Sequence, residues 1–227
     1  MKIIYLLYLL LTLSSLNTFA QSQNNSTYSV GLNLFYYGEV PKILEEVRGA
    51  DSYQASTFNG IIAKFNDNQI SYRFLASRYF KKDYSFFNEC KTCEFVKGKY
   101  TSYEFKMGFE KNLIYAKLQP FFGVDLGYKD AIFNGIATNA VNNTNLYTAE
   151  VQKKGGVFYP FLGLKYTPTT HITISAESGL NLYYNFITDI KRYPDANKTI
   201  DTKNRNDWEF LTQPIGIISI QYNFGAN

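Results

Sequence analysis

Histidine and tryptophan occur once each, and cysteine and methionine twice each, in this chain of 227 residues. So small a stock of imidazole and thiolate leaves little for a structural zinc centre, which wants four such ligands. It leaves equally little for a histidine-based catalytic relay, so no metal or cofactor is expected. Long apolar runs are also scarce. One run, Ile3 to Leu13, is broken by Thr12 and falls short of the roughly 20 residues of a membrane helix. It follows Met1-Lys2 and leads to Thr18-Phe19-Ala20, with small residues at the first and third positions before a cut. That is the layout of a secretory signal peptide. Residues 1–20 are expected to be removed, leaving 21–227 as one domain, and with no cysteine near the cut no lipoprotein anchor is indicated. The net charge of +4 is too small to suggest nucleic acid as a partner.

Aromatic residues, in contrast, are plentiful. Twenty Tyr and nineteen Phe bring them to 18% of the chain, a composition that suits strands rather than helices. From Tyr28 onward the text alternates with period two. Tyr100 to Glu110 is the clearest segment: Tyr103, Phe105, Met107 and Phe109 oppose Ser102, Glu104, Lys106, Gly108 and Glu110. The other predicted strands are Tyr28–Tyr36, Phe58–Phe65, Ile70–Phe80, Leu113–Tyr128, Gly156–Tyr166, His171–Tyr184 and Thr212–Phe224, eight in all. Pro120-Phe-Phe-Gly123 in the fifth echoes Pro160-Phe-Leu-Gly163 in the sixth.

The links alternate in length. Asn66–Asn68, Lys111-Asn112 and Thr167–Thr170 are short, whereas Tyr37–Thr57, Lys81–Lys99, Lys129–Gly155 and Asn185–Asp207 are long. All long links therefore leave one end of a barrel and all tight turns the other. This pattern predicts an eight-stranded antiparallel up-and-down transmembrane β-barrel with short periplasmic turns and long extracellular loops. Pro41 to Arg48 is expected to form one or two helical turns in the first loop.

A soluble lipocalin-like carrier also alternates, but with its apolar face inward. Strands of ten or more residues match the ~9–11 that cross a bilayer obliquely. The polar face mixes Gly and Ser with both charge signs: Lys64, Arg73, Glu104, Lys106, Glu110, Lys117, Asp125, Lys165 and Glu177. An eight-stranded wall encloses little more than its own side chains. These charges are therefore predicted to plug the interior as a paired network. Tyr36, Tyr37, Tyr79, Phe80, Tyr128, Tyr183, Tyr184 and Trp208 fall where strands meet long loops, and a second aromatic set lies near the turns, as paired interfacial girdles would.

The signal peptide, the alternating strands, Pro160–Tyr166 and Ile218–Phe224 together resemble outer-membrane β-barrel domain proteins abundant in Bacteroidota. The resemblance spans essentially the whole mature chain and implies an outer-membrane location. It also implies that the last strand, ending in Phe224, is read by the barrel-insertion machinery, although Gly225-Ala226-Asn227 follow here. The family carries no established activity.

Two features invite chemistry. Cys90 and Cys93 read as a small loop-closing disulfide in an oxidising compartment, with a free or regulatory pair as the alternative. His171 would be the base of a lipid A-modifying enzyme, yet no nucleophile or carboxylate is marked beside it. The expectation is a non-enzymatic barrel with a structural or loop-mediated role. Clustered bases at Lys81-Lys82, Lys97, Lys99, Lys153-Lys154 and Lys191-Arg192 suggest contact with lipopolysaccharide phosphates as well as with membrane lipid.

Overall fold

The computed structural model describes residues 28–49, 52–67, 70–90, 93–114, 116–194 and 200–225; the segment read as a signal peptide lies outside them. Eight strands follow one another: β1 Tyr28–Glu39, β2 Tyr53–Asp67, β3 Ile70–Asn88, β4 Glu94–Asn112, β5 Leu118–Asn139, β6 Asn145–Thr169, β7 Ile172–Arg192 and β8 Ile200–Phe224. Each pairs antiparallel with the next, and β8 returns to β1 from Tyr28↔Phe224 to Tyr37↔Ile215, so the sheet closes into a barrel. Closure removes the exposed edges that a strand otherwise presents.

The period-two pattern places the apolar row outside. Leu32, Phe74, Phe105, Met107, Leu126, Leu162, Leu164 and Ile220 are exposed, with Met107 at 63% and Leu162 at 68%. Rings flank this band at both heights. Tyr28, Phe65, Tyr72, Phe109, Tyr166, Tyr222 and Phe224 stand at the turn end, and Phe80, Tyr103, Tyr128 and Trp208 at the other.

Four expectations need correction. Much of the sequence read as long loops is strand: β3 runs to Asn88 and β4 starts at Glu94, β5 runs to Asn139 and β6 starts at Asn145, and β7 runs to Arg192 and β8 starts at Ile200. Beyond the outer ring the sheet inverts its polarity. Tyr84, Phe86, Val96, Phe133, Tyr147, Val151 and Ile187 point inward and are buried, while Lys97, Lys99 and Asn134 point outward and are exposed. Alternation continues with its sign reversed, so a search for an outward apolar stripe stops too early.

The helical turn expected at 41–48 is absent. Leu44 sits at φ 53°, a left-handed conformation that interrupts any right-handed helix. Tyr36, Tyr79 and Tyr183 are not girdle residues. Tyr79 keeps the inward parity of Arg73 and Leu75 and packs on the buried ring of Tyr100. A register shift between Asn33 and Phe35 turns Tyr36 inward to accept a hydrogen bond from Gln213, and Tyr183 lies on the inward parity of β7. Lastly, β5 begins at Leu118, not Leu113, and Lys117 precedes it outside the strand. Lys117 is exposed and is not an interior charge.

One seam is incomplete. β1 and β2 pair up to Glu39↔Tyr53 and β3 and β4 up to Asn88↔Glu94, but β2 and β3 pair only from Asp67↔Ile70 to Gly60↔Ser77. Above that point the two strands part. The Lys81 ammonium reaches across to Gln54, and the backbone N–H of Val47 donates to the Phe87 carbonyl at 2.8 Å higher up.

Candidate functional site

The inward row of the lower barrel gathers six charges into one neutral group. Arg73 on β3 is central. Its guanidinium donates to both oxygens of Glu177 on β7, at 2.7 and 2.8 Å, and to Glu110 on β4 at 3.2 Å. It also faces Asp125 on β5 at 3.0 Å. Lys64 on β2 donates to Glu110 at 2.9 Å, and Lys165 on β6 pairs with the same carboxylate. Three cations thus meet three carboxylates, all buried. A lone buried charge is very costly, and pairing with further hydrogen bonds offsets that cost. The Asp125 pair is the looser one: its carboxylate oxygens make no hydrogen bond of good geometry among the described residues.

The echoed motifs support this group. Phe121 pairs with Gly163 and Gly123 with Phe161, so the two Pro-Phe-x-Gly stretches face each other antiparallel about a local twofold. Each glycine makes room for the opposite ring: a Cβ on Gly163 would stand 2.4 Å from Phe121 and 2.6 Å from the Ala176 carbonyl, and one on Gly123 would stand 2.3 Å from both Phe161 and the Phe109 carbonyl. The Arg73 guanidinium then lies 4.0 Å over the Phe161 ring, and Lys165 and Lys64 lie 4.7 and 5.7 Å from the centre of Phe121. Cations and aromatic faces attract.

A second layer sits above. Lys106 pairs with Glu104 at 3.2 Å, donates to Asn181 at 3.2 Å and lies 4.1 Å over Tyr159. The Tyr183 hydroxyl donates to Glu104 at 2.8 Å, and Lys129 lies 4.5 Å over the Tyr183 ring. Higher still, Glu209 accepts from Lys153 at 2.8 Å, from Asn185 at 2.7 Å and from the backbone N–H of Lys42 at 3.0 Å. The sequence pattern leaves Lys129, Lys153 and Glu209 in loops or at their edges. Counting on by twos from Gly127 and Gly155 places the two lysines inside.

The β1–β2 link caps the mouth. Val40, Ile43 and Leu44 pack against Tyr84, Phe86, Phe133, Val151 and Ile187. The backbone N–H of Glu89 donates to the Glu45 carbonyl at 3.0 Å, and that of Glu45 to Asn88 at 2.8 Å. Glu46 is buried there, accepting from the Tyr84 hydroxyl at 2.9 Å and from the backbone N–H of Ile43 at 3.1 Å. Burial pushes its carboxyl pKa upward, against the pull of those donors and of Arg48 and Lys153. Between cap and charge layers a cavity of about 40 Å³ remains, bordered by Asn33, Asn59, Tyr79, Tyr100 and Ile217.

Of the predicted interior charges, Lys64, Arg73, Lys106, Glu110, Asp125, Lys165 and Glu177 are buried in the barrel, Glu104 is partly so, and Lys117 lies outside. Cys90 and Cys93 are joined as a disulfide in the β3–β4 link. His171 is exposed beside the β6–β7 turn, stacked on Tyr222 with its Nδ1 3.3 Å from the Asn223 carbonyl. Among the described residues no serine, cysteine or carboxylate is hydrogen-bonded to it, and no cluster of metal-ligating side chains occurs.

This geometry is that of an eight-stranded barrel of the outer-membrane type, with its apolar face outward and its interior polar. The chain is similar in fold to the crystal structure of the outer membrane protein OprG from Pseudomonas aeruginosa, at TM-score 0.52 and 10% identity over 88% of this chain and 97% of that one. A major outer membrane protein from Thermus thermophilus follows at TM-score 0.49 and 10% identity, over 87% and 98%. No family model matches the sequence, and no curated protein does.

Proposed function

We propose that the chain is an exported outer-membrane barrel, closed to bulk flow, that works without catalysis through its tall extramembrane end. The reading rests on one observation. The outward band is aliphatic and aromatic while the interior is filled with paired charges, the reverse of what a soluble carrier needs. Hydrocarbon tolerates such a band, and closure of the sheet pairs its strands around the ring, with β2 and β3 paired as far as Gly60↔Ser77. Short turns then face the periplasm, and the barrel-insertion machinery would read the terminal strand ending at Phe224. The likeness of the closing strand to Bacteroidota barrel-domain proteins supports the same assignment. Outward lysines and arginines above the upper ring supply contacts for lipopolysaccharide phosphates.

Membrane fractionation with heat-modifiable gel migration, followed by conductance across a planar bilayer, tests the proposal. The protein is expected in the outer-membrane fraction, migrating faster before boiling than after, and passing no sustained ion current. Recovery in the soluble periplasm without detergent, or a steady open channel, would overturn it.

A further inference from the structure

Just above the lipid-facing band, the outward side of β3 and β4 carries cations without acidic partners. The Arg78 guanidinium lies 5.7 Å from the centre of the Phe80 ring and 5.5 Å from that of Tyr103, and the Lys99 ammonium lies 5.1 Å from Phe80. Lys82 is exposed two residues beyond Phe80. The carboxylates that share this face are engaged elsewhere: Asp83 with Lys97 at 3.1 Å, and Asp130 with Lys154 at 3.8 Å. Among the described residues, Arg78, Lys82 and Lys99 have no carboxylate within ion-pair distance, so the patch is electropositive.

Directly beside it lies the place where β2 leaves β3. Next to the last β2–β3 pair, Gly60↔Ser77, the outer wall carries a shallow, open apolar groove. Leu32, Phe58, Ile61, Tyr103 and Phe105 line it, and Arg78 stands at its edge. Apolar groove and cationic rim are therefore contiguous.

We infer that this indentation is a binding site for one anionic, phosphate-bearing lipid of the outer leaflet, its acyl chain in the groove and its phosphate on Arg78 and Lys99. The inference rests on the lipid-facing reading of the wall. The apolar groove beside the patch accommodates an acyl chain, and the two cations supply charge complementarity that a zwitterionic headgroup answers less well. Phe80 and Tyr103 hold the cationic side chains at interface height, where aromatic rings settle.

Native mass spectrometry of the detergent-solubilised full chain, titrated with phosphatidylglycerol, phosphatidylcholine or inorganic phosphate, tests the site. Phosphatidylglycerol should be retained preferentially. The R78Q/K99Q double variant should lose about thirtyfold in apparent affinity, the conversion of roughly 1 kcal/mol for each surface cation. R78K/K99R should restore most of it. Equal retention of both lipids, undiminished binding in R78Q/K99Q, or competition by inorganic phosphate as strong as by the lipid would each overturn the inference. Failure of the membrane reading itself is separable: wild-type protein would then stay soluble without detergent and show no heat-modifiable band.

Discussion

Arg73 is the residue whose removal the interior tolerates least. It touches Glu110, Asp125 and Glu177 at once, so its loss leaves more carboxylate than Lys64 and Lys165 can neutralise. Breaking one partner out of a buried ion network typically destabilises by ~3–5 kcal/mol. Arg73→Met should therefore lower the unfolding free energy measured in urea by that order, and Glu177→Gln by less, since Arg73 keeps two acidic partners. An unchanged unfolding free energy in Arg73→Met would show that the layer is not structural. Gly163 makes a steric prediction instead. A branched side chain there meets the Phe121 ring and the Ala176 carbonyl, so Gly163→Val should cost at least the ~1–3 kcal/mol usual for overpacking. The same unfolding assay reads it, and a neutral result would mean that the rings can swing away. At this scale much is legible in the sequence. Alternation picks out Arg73, Glu110 and Lys165 as inward from their own strands, but it misplaces Lys117 because nothing local marks where the β4–β5 turn ends.

The β1–β2 link is the element that decides whether the mouth is shut. Its docking couples to proton binding through Glu46. Burial raises this carboxyl above its value in an undocked, solvated link, so the docked state binds the proton more tightly. Linkage then makes docking strengthen as pH falls through the raised value toward the ordinary carboxylate range. This gain is lost again as pH rises back through the raised value, with no further change above it. Hydrogen exchange at the Ile43–Val47 amides, corrected for intrinsic rates, should show greater protection in mild acid, with the slope flattened in Glu46→Gln. Equal pH dependence in wild type and variant would assign the effect to other groups. The cap is only half legible in the sequence. Val40, Ile43 and Leu44 read as apolar, but whether they cover a helix face or plug a mouth depends on partners some forty to a hundred and fifty residues away.

For the whole molecule, the change of polarity along the barrel axis is the organising feature. The lower part presents apolar side chains to its surroundings around a charged filling, and the upper part mixes charged with apolar side chains outside around a largely apolar filling. One continuous ladder joins them, and β5 and β6 stay paired from Leu118↔Tyr166 to Thr138↔Asn145. Slow amide exchange is accordingly expected to continue through Ala131–Ala137 and Val151–Gly155 in vesicle-reconstituted protein, well past the outer aromatic ring. Rapid exchange throughout those stretches would restore the picture of long mobile loops.

The period-two alternation and the inward placing of charge along the membrane-facing part of each strand are properties of short stretches of chain. They suffice to specify a closed sheet with a greasy exterior, because a strand's two faces are set by its own neighbours in sequence. Which carboxylate meets which cation, how far the strands outrun the bilayer, the plugging of the mouth by Ile43 and Leu44, and the parting of β2 from β3 were decided only in three dimensions. Each depends on the stagger between strands distant in sequence, and a bulge such as that after Asn33 reverses the facing of every residue beyond it.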